Sequence, residues 1–582
     1  MKTKQKLELT WIGKDDEYKD IEPRILVEVP EKSYGDKNTE NMLIHGDNLL
    51  ALKALEQDYT CKIKCTYIDP PYNTGSRINA DGDEVGYDDG FEHSAWLNLM
   101  KPRLEILKNL LSHDGTLAVQ IDDNEYARLY LLLIEIFGQK NLKTICVKMS
   151  EATGVKMAHV INNGRIPKLK EYIIIARKEG IKDLWCEKIP KEKWDDEYKH
   201  LITGVSREEI LKLKDIISND SRCSETDIEE ADNICAKFQL KPVEELFENA
   251  TNLNNEEKNS IKYENAWRIV RDVATSDGAK KIADQKKNSV IGNCFMIKTT
   301  KNKKYIIKKD YNENSSQPRI KLLFADDYLT VHPGDFWQDI KTTGLDNEGG
   351  IDFKKGKKPE ALIKRIVGMA SKEGDYVLDS FAGSGTTGCV AHKMKRKWIM
   401  IEMANHCYSH IIPRIRSVIE GTDTQGITSS VNWKGGGGYK FYELAPSLLR
   451  KDEFDNWIIE PKYDAEMLAE AMAKHEGYKF SPDENNVYKQ GYSTEKDFIF
   501  TTTQFLSNEL LNQIHNKLEE SESLLICATH FEEGVGSAYS NITVKKIPQM
   551  LLNRCEFGRA EYNLNIIEEA QPEDVEEDFE EE

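Results

Sequence analysis

Residues 376–388 read YVLDSFAGSGTTG, a short apolar strand that runs into a loop with glycines at 383 and 385, followed by a helical stretch. A loop that leaves the carboxyl end of a parallel strand and enters a helix lets a small ligand approach the backbone closely, and glycine permits that approach. Alone, such a loop suits NAD, FAD, a nucleotide or S-adenosylmethionine, and it can also be tight packing with no ligand. A Walker loop would need Gly-Lys-Ser/Thr, whereas Gly385 precedes Thr386 and Thr387. The next apolar run, Trp398 to Ile401, ends at Glu402, where a carboxylate can accept from both hydroxyls of a ribose.

Working outward, a helix is expected from Pro359 through ALIKRIVGMA, with proline in its first turn. Strand, loop, helix and strand then make a β-α-β unit. A second unit lies near the other end of the chain. Met42 to Ile44 reads as a strand, Asn48 to Gln57 repeats Leu and Ala at helical spacing, and Lys62 to Ile68 is a strand leading into Asp69-Pro70-Pro71-Tyr72. Residues 94–111 form an amphipathic helix, Asp114-Gly115 breaks it, and Thr116 to Ile121 returns as a strand. Asp122 and Glu125 have capping-box spacing for a helix over Tyr126 to Phe137, so these carboxylates are either a helix start or part of a site. EYIIIAR, residues 171–177, suits a buried core strand.

The loop Asp69-Pro70-Pro71-Tyr72 carries the most specific chemistry. Two consecutive prolines fix φ and remove two backbone donors, leaving a rigid loop that presents a carbonyl, a carboxylate and an aromatic face. That set suits a base extracted from a nucleic-acid stack. An exocyclic amine needs two acceptors, which Asp69 and the Pro70 carbonyl offer, and the base needs a stacking surface, which Tyr72 offers. A plain Pro-Pro turn is the structural alternative.

Composition sets limits on the rest. The chain of 582 residues is 39% hydrophobic and has room for about three domains. No apolar run approaches the length of a membrane span, and the first residues lack the apolar stretch of a signal peptide, so a cytoplasmic protein without a membrane partner is expected. The 11 cysteines are scattered and expected to be reduced and mostly buried; with neither a CxxC pair nor an HExxH, no metal site is expected. The formal net charge of −20 looks wrong for a nucleic-acid partner, but residues 568–582 hold ten acidic residues and no basic one, supplying half of the excess. Basic clusters occur at 280–287 and 298–310, and the lysines of 298–309 with those before Pro359 are a candidate DNA surface or, equally, solvated surface.

With both loops in hand, the chain resembles the amino-methyltransferases of DNA, and specifically the modification subunits of type III restriction-modification systems. The resemblance rests on NMLIHGDNLLALKAL, YIDPPYNTG, FEHSAWLNLMKPRL, GTLAVQIDDNE, KEYIIIAR, KKP, DSFAGSGTTG and IEMANHCY, with GGGGYKFYEL and VKKIPQMLL further on. It implies an α/β, Rossmann-like S-adenosylmethionine-dependent methyltransferase fold: one mostly parallel seven-stranded sheet in circularly permuted motif order, with an inserted target-recognition domain and a small C-terminal α/β domain. Residues 1–40 would be an N-terminal arm, 41–180 the catalytic half, 181–335 the target-recognition insert, 336–420 the cofactor-binding half, 421–445 a linker, 446–567 the C-terminal domain and 568–582 a disordered acidic tail.

The resemblance further implies site roles. Asp69, Pro70, Pro71 and Tyr72 would be catalytic. Asp379, Phe381, Gly383, Gly385 and Thr386 would shape the methionine end of an S-adenosyl-L-methionine pocket, with Glu402 on the ribose, Asp47 on the adenine ring and Lys358-Pro359 in the segment that covers it. Asp47 has the alternative role of helix N-cap before Asn48. Phe91 and Trp96 either line the base pocket or pack in the core. The expected reaction is methylation of adenine N6 in double-stranded DNA by a homodimer, with a separate helicase-nuclease restriction subunit as partner. Cytosine-N4 methylation is the nearest alternative, and a DNA-binding specificity subunit that recruits a nuclease is another.

Overall fold

The computed structural model describes residues 8–558 and 566–568, apart from 15–20, 74–76, 80–84, 89–92, 151–160, 162–163, 165, 183, 185, 192, 220, 223, 248–253, 316–317, 343–344, 352, 354–355, 553–554 and 556. Phe91 and the acidic stretch from 569 onward lie outside the described residues. The chain forms two compact units, Met1–Cys186 with Gly334–Glu582, and Glu187–Pro333.

The first unit is built on one large sheet. Its strands in chain order are β1 (Leu26–Glu28), β2 (Met42–His45), β3 (Ile63–Ile68), β4 (Leu111–Ile121), β5 (Leu142–Lys148), β6 (Lys170–Arg177), β7 (Phe336–Trp337), β8 (Tyr376–Asp379), β9 (Lys397–Glu402) and β10 (Gly438–Leu444). In space they run β1-β10-β2-β9-β8-β3-β4-β6-β5-β7, and Tyr34–Gly35 pairs beside β10 to make eleven. From β10 to β4 every pairing is parallel, whereas β6 is antiparallel to both of its neighbours. Six helices matter for the site: α1 (Asn48–Tyr59), α2 (His93–Leu110), α3 (Tyr126–Phe137), α4 (Glu360–Ala370), α5 (Thr386–Lys393) and α6 (Ile412–Glu420).

Alternate residues of the central strands feed two cores, as the period-2 geometry of a strand demands. Ile68 of β3 joins Leu117 and Val119 of β4 beneath α1, α2 and α3, and Ile63 reaches the same core across the register shift at the start of β3. Cys65 and Tyr67 join Ala118 on the other face, beneath α4, α5 and α6. The result is a three-layer α/β/α unit. The chain crosses to one face after β3 and to the other after β8, so these adjacent parallel strands form the topological switch point, where open α/β sheets bind ligands.

The sheet is wider than the seven strands expected. Residues 26–28 and 438–444, read as part of an arm and of a linker, pair with each other, and β10 continues onto β2. Short length and the run Gly435–Gly438 hide these edge strands from pattern reading. Gly438 is required by packing, since a Cβ there would lie 2.3 Å from the backbone nitrogen of Asp36. Strand β5 was also hidden, because only Ile145 and Val147 of LKTICVK are buried apolar side chains. Among the described cysteines, Cys61 is exposed and Cys146 half-buried, and the others are buried.

Beyond β10, a five-stranded sheet runs Lys479–Phe480, Gly491–Thr494, Asp497–Thr502, Ser523–Ala528 and Ile542–Lys546, with helices Ala465–Glu476 and Asn508–His515. The second unit holds a six-stranded antiparallel sheet in the order Gln239–Pro242, His200–Thr203, Ile269–Ala274, Arg319–Phe324, Lys304–Lys308 and Cys294–Lys298. No helix among the described residues is long and apolar enough to cross a membrane.

Candidate active site

Because β3 and β8 are neighbours in parallel register, Leu378 opposite Thr66, the loops that leave their carboxyl ends emerge side by side. Asp69-Pro70-Pro71-Tyr72 follows β3 and DSFAGSGTTG follows β8, so segments some three hundred residues apart in sequence form one site.

The glycine loop is a closed set of short bonds. Asp379 accepts from the Phe381 N–H at 2.9 Å and from the Thr387 hydroxyl at 2.6 Å. Glu402, at the end of β9, accepts from the Gly383 N–H at 2.8 Å and from the Met403 and Ala404 N–H groups at 2.9 Å. Expected as a ribose ligand, its carboxylate is seen here as the clasp of the loop. Gly383 and Gly385 have φ of +52° and +74°, a region that side chains with a Cβ avoid. Thr386 is buried and accepts from the Arg414 guanidinium at 2.7 Å. Burial pushes the Asp379 carboxyl up to about 7, against the Thr387 and Phe381 hydrogen bonds.

Asp47 shows the helix-capping role. One oxygen accepts from the Leu50 N–H at 3.0 Å and the other from the buried Arg103 at 3.3 Å. Asn48 beside it donates to the Ser380 carbonyl at 2.8 Å, which ties this turn to the glycine loop.

In the loop after β3, the Tyr72 hydroxyl donates to Asp69 Oδ1 at 2.6 Å or to Glu171 Oε2 at 2.9 Å. Lys358 was expected with Pro359 over the cofactor. Its ammonium instead lies 3.0 Å from Asp69 Oδ2 and 3.5 Å from Glu171 Oε2, and donates to the Tyr72 hydroxyl at 2.9 Å. Pro359 stands at the start of α4, its residue the N-cap. Burial raises the Asp69 carboxyl above its ordinary range, with Lys358 opposing. Burial also pushes Glu171 up, but Lys358, Gln120 and Tyr72 together outweigh it and hold that carboxyl low. Lys358 is lifted above its ordinary value because Asp69 and Glu171 outweigh its burial.

The loop is braced from behind. Trp96 is fully buried and donates from Nε1 to the Pro71 carbonyl at 2.8 Å, so it is a core residue that also fixes the loop. Asn73, at φ +58°, donates to Glu125 Oε1 at 2.6 Å, and His93 meets the same oxygen. Of the two readings of this acidic pair, Glu125 makes no side-chain cap bond at the start of α3 and its buried carboxylate meets Asn73 and His93, whereas Asp122 accepts from the Asn124 N–H at 2.8 Å in the turn that leads into the helix. Among the described residues nothing donates to the Pro70 carbonyl.

Sequence reading did not single out Gln120, Glu171, Arg103 or Arg414. Each lies on an element that reads as core. The signal available was a polar residue at a buried position, as with Gln120 inside TLAVQI.

The basic clusters of the second unit are partly structural. Lys304 is buried and donates to the carbonyls of Ile216, Asn219 and Arg222 at 2.6–2.7 Å, closing the end of helix Arg207–Ser218. Lys308 pairs with Asp272 at 2.9 Å. Lys301 and Lys303 are exposed. Of the lysines before Pro359, 354 and 355 lie outside the described residues, and Lys357 is buried.

A family model described as DNA methylase matches residues 63–412, which include both loops. The probable type III restriction-modification enzyme HindVI Mod subunit of Haemophilus influenzae is 34% identical over 70% of this chain and 54% of its own length. The type III restriction-modification enzyme EcoPI Mod subunit of Escherichia phage P1 is 29% identical over 66% of this chain and 60% of its own. The EcoP15I Mod subunit of Escherichia coli is 24% identical over 79% and 76%. The chain thus spans little more than half the length of the first two relatives. With a family model that covers more than half of its residues and contains both loops, this chain belongs to the DNA methylase family.

Proposed function

We propose that this chain transfers a methyl group from S-adenosyl-L-methionine to adenine N6 in double-stranded DNA, as the modification and specificity subunit of a type III restriction-modification system. The observation that carries this reading is the position of the Asp69 carboxylate and the Pro70 carbonyl, the latter without a donor among the described residues, beside a glycine loop on the adjacent strand. The names of the relatives support the type III assignment, a restriction subunit as partner and DNA as substrate. A homodimer rests on the family resemblance alone.

The residues of the glycine loop fit the cofactor. A Cβ at Gly383 would meet nothing nearer than the Phe381 carbonyl oxygen at 3.9 Å, which leaves space for a ligand against the backbone. Ser380 Oγ, at the start of the loop, is buried with no partner among the described residues, a polar atom open to a ligand's hydrogen bond. Phe381, Gly383, Gly385 and Thr386 would hold the methionine end, with Asp379 and Glu402 keeping the loop in shape and Asp47 and Pro359 flanking it. When bound, S-adenosyl-L-methionine supplies an electrophilic methyl on a sulfonium.

Adenine N6 is a poor nucleophile because its lone pair is delocalised into the ring. Hydrogen bonds from both amine hydrogens to Asp69 and to the Pro70 carbonyl localise that pair on nitrogen as the methyl arrives. The Tyr72 ring stacks on the extracted base. Asp69, its carboxyl raised by burial, takes the proton that the methylated amine sheds. Rigid presentation by two prolines and the Trp96 brace supplies the orientation such a step needs.

The test is incubation of the full chain with DNA and methyl-labelled cofactor, followed by digestion to nucleosides. N6-methyladenine is expected. N4-methylcytosine would overturn the choice of base, and unlabelled DNA across varied sequences would overturn the reading itself.

A further inference from the structure

In the structure both oxygens of Asp69 are occupied, Oδ1 by the Tyr72 hydroxyl at 2.6 Å and Oδ2 by the Lys358 ammonium at 3.0 Å. Lys358 therefore holds an N–H donor against the carboxylate that the target amine must reach. The ammonium has little exposure to water, its side chain being 10% accessible, so it cannot simply be released.

One other acceptor lies within reach of both donors. Glu171 Oε2 is 2.9 Å from the Tyr72 hydroxyl and 3.5 Å from the Lys358 ammonium. Its position is fixed from the sheet: the Tyr67 hydroxyl donates to Gln120 Oε1 at 2.7 Å, and the Gln120 amide donates to Glu171 Oε2 at 2.5 Å. The second oxygen, Oε1, has no partner among the described residues. The ammonium already lies 3.5 Å from Oε2, just beyond hydrogen-bond distance, so a shift of roughly half an ångström toward Glu171 exchanges one carboxylate for the other.

We propose that Glu171 is a positioning residue for methyl transfer: it takes over the Tyr72 hydroxyl and the Lys358 ammonium when the target amine enters, and so frees Asp69 for the base. The inference rests on the methyl-transfer reading above. Without Glu171 the buried ammonium has Asp69 as its carboxylate and competes with the amine for it. Lys358 is then an internal stand-in for the substrate, and Glu171 is what allows the exchange. The low-held carboxyl of Glu171 keeps it ionised in the range where the enzyme would work.

Glu171→Gln keeps the shape and the Gln120 contact on one side but removes the charge. On the full chain, it is expected to lower kcat by about tenfold or more while cofactor affinity stays within about twofold. The distinguishing variant is Glu171→Gln with Lys358→Met. Removal of the trapped ammonium should return a large part of the lost kcat, so the double variant is faster than Glu171→Gln alone. A purely structural role for Glu171 predicts the opposite, since a second change in the same cluster adds damage. If Glu171→Gln fails to fold by its thermal unfolding profile, Glu171→Asp with and without Lys358→Met reads the same relief, because the shortened side chain withdraws the acceptor. A double variant no faster than its Glu171 parent, or a Glu171→Gln variant with wild-type kcat, overturns the proposal. Wild-type protein that methylates no DNA would instead overturn the functional reading, so the two failures are distinct.

Discussion

The Lys358 ammonium donates to the Tyr72 hydroxyl at 2.9 Å, although the two residues are 286 positions apart in sequence. Lys358 immediately precedes Pro359 at the start of α4, and Tyr72 closes the Asp69–Tyr72 loop after β3. The bond therefore joins the two sequence segments of the large sheet's unit at the atoms where proton chemistry is proposed. Lys358 is also the cation that restrains the Asp69 and Glu171 carboxyls.

Lys358→Met should therefore move the acid limb of the kcat–pH profile upward. Burial already raises Asp69, and loss of the opposing cation lets it rise further, with Glu171 following. A higher pH is then needed to keep both carboxylates ionised. Steady-state methylation across pH 5–9, read as about a unit of displacement, checks this. An unmoved limb would remove Lys358 from the proton account.

A buried ion cluster lies behind the glycine loop. Glu360 accepts from Arg414 at 3.0 Å and from Lys393 at 2.8 Å, all three side chains being fully buried, and Arg414 also donates to Thr386. Arg414→Met should destabilise the protein by about 3–5 kcal/mol, since it strands part of a buried charge. It should also weaken cofactor binding through Thr386. Urea unfolding and equilibrium cofactor titration read the two effects, and Glu360→Gln combined with Arg414→Met should cost less than the sum of the single changes.

Asp379 predicts a pH-dependent stability. Its folded pKa is raised from the ordinary 3.8 to about 7, so the folded state binds more protons than the unfolded state between those values. This contribution is fully present below about pH 4, is lost as pH rises through about 7, and is constant above. Asp379→Asn removes the titration. The difference in urea midpoint between wild type and variant should therefore shift in favour of the variant between pH 5 and pH 8, and a difference that does not change with pH would refute the assignment.

The lysines of the second unit divide by their partners. Lys304→Met should lower the unfolding midpoint, because three carbonyls at the end of a helix lose their donor. Lys301→Gln with Lys303→Gln should leave stability unchanged. If these exposed lysines meet phosphates, the salt slope of DNA binding falls by about 0.9 for each. Binding isotherms between low and moderate salt decide between a DNA surface and solvated side chains.

Both loops were legible in the sequence because each is local: a strand, a loop of unusual residue types, and a helix in one short stretch. The Asp122–Glu125 spacing leaves a helix start and a site role equally open, and only the tertiary contact of Glu125 with Asn73 and His93 decides for that residue. Strands β1 and β10 were not legible, because three residues in one case and a glycine-led segment in the other acquire their identity only by pairing. Glu171 and Gln120 were hidden for a related reason. Each sits on a strand whose apolar neighbours define the pattern, and what they touch depends on the order of strands across the sheet.

In the proposed reaction Asp69 receives the target amine, while the glycine loop on the neighbouring strand binds the cofactor independently of it. The measurement that tests it most directly is methyl transfer to DNA by Asp69→Ala, made together with cofactor binding by the same preparation. The account predicts a loss of transfer of at least about a hundredfold with the cofactor dissociation constant changed by no more than about twofold. Transfer near the wild-type rate in that variant would contradict it.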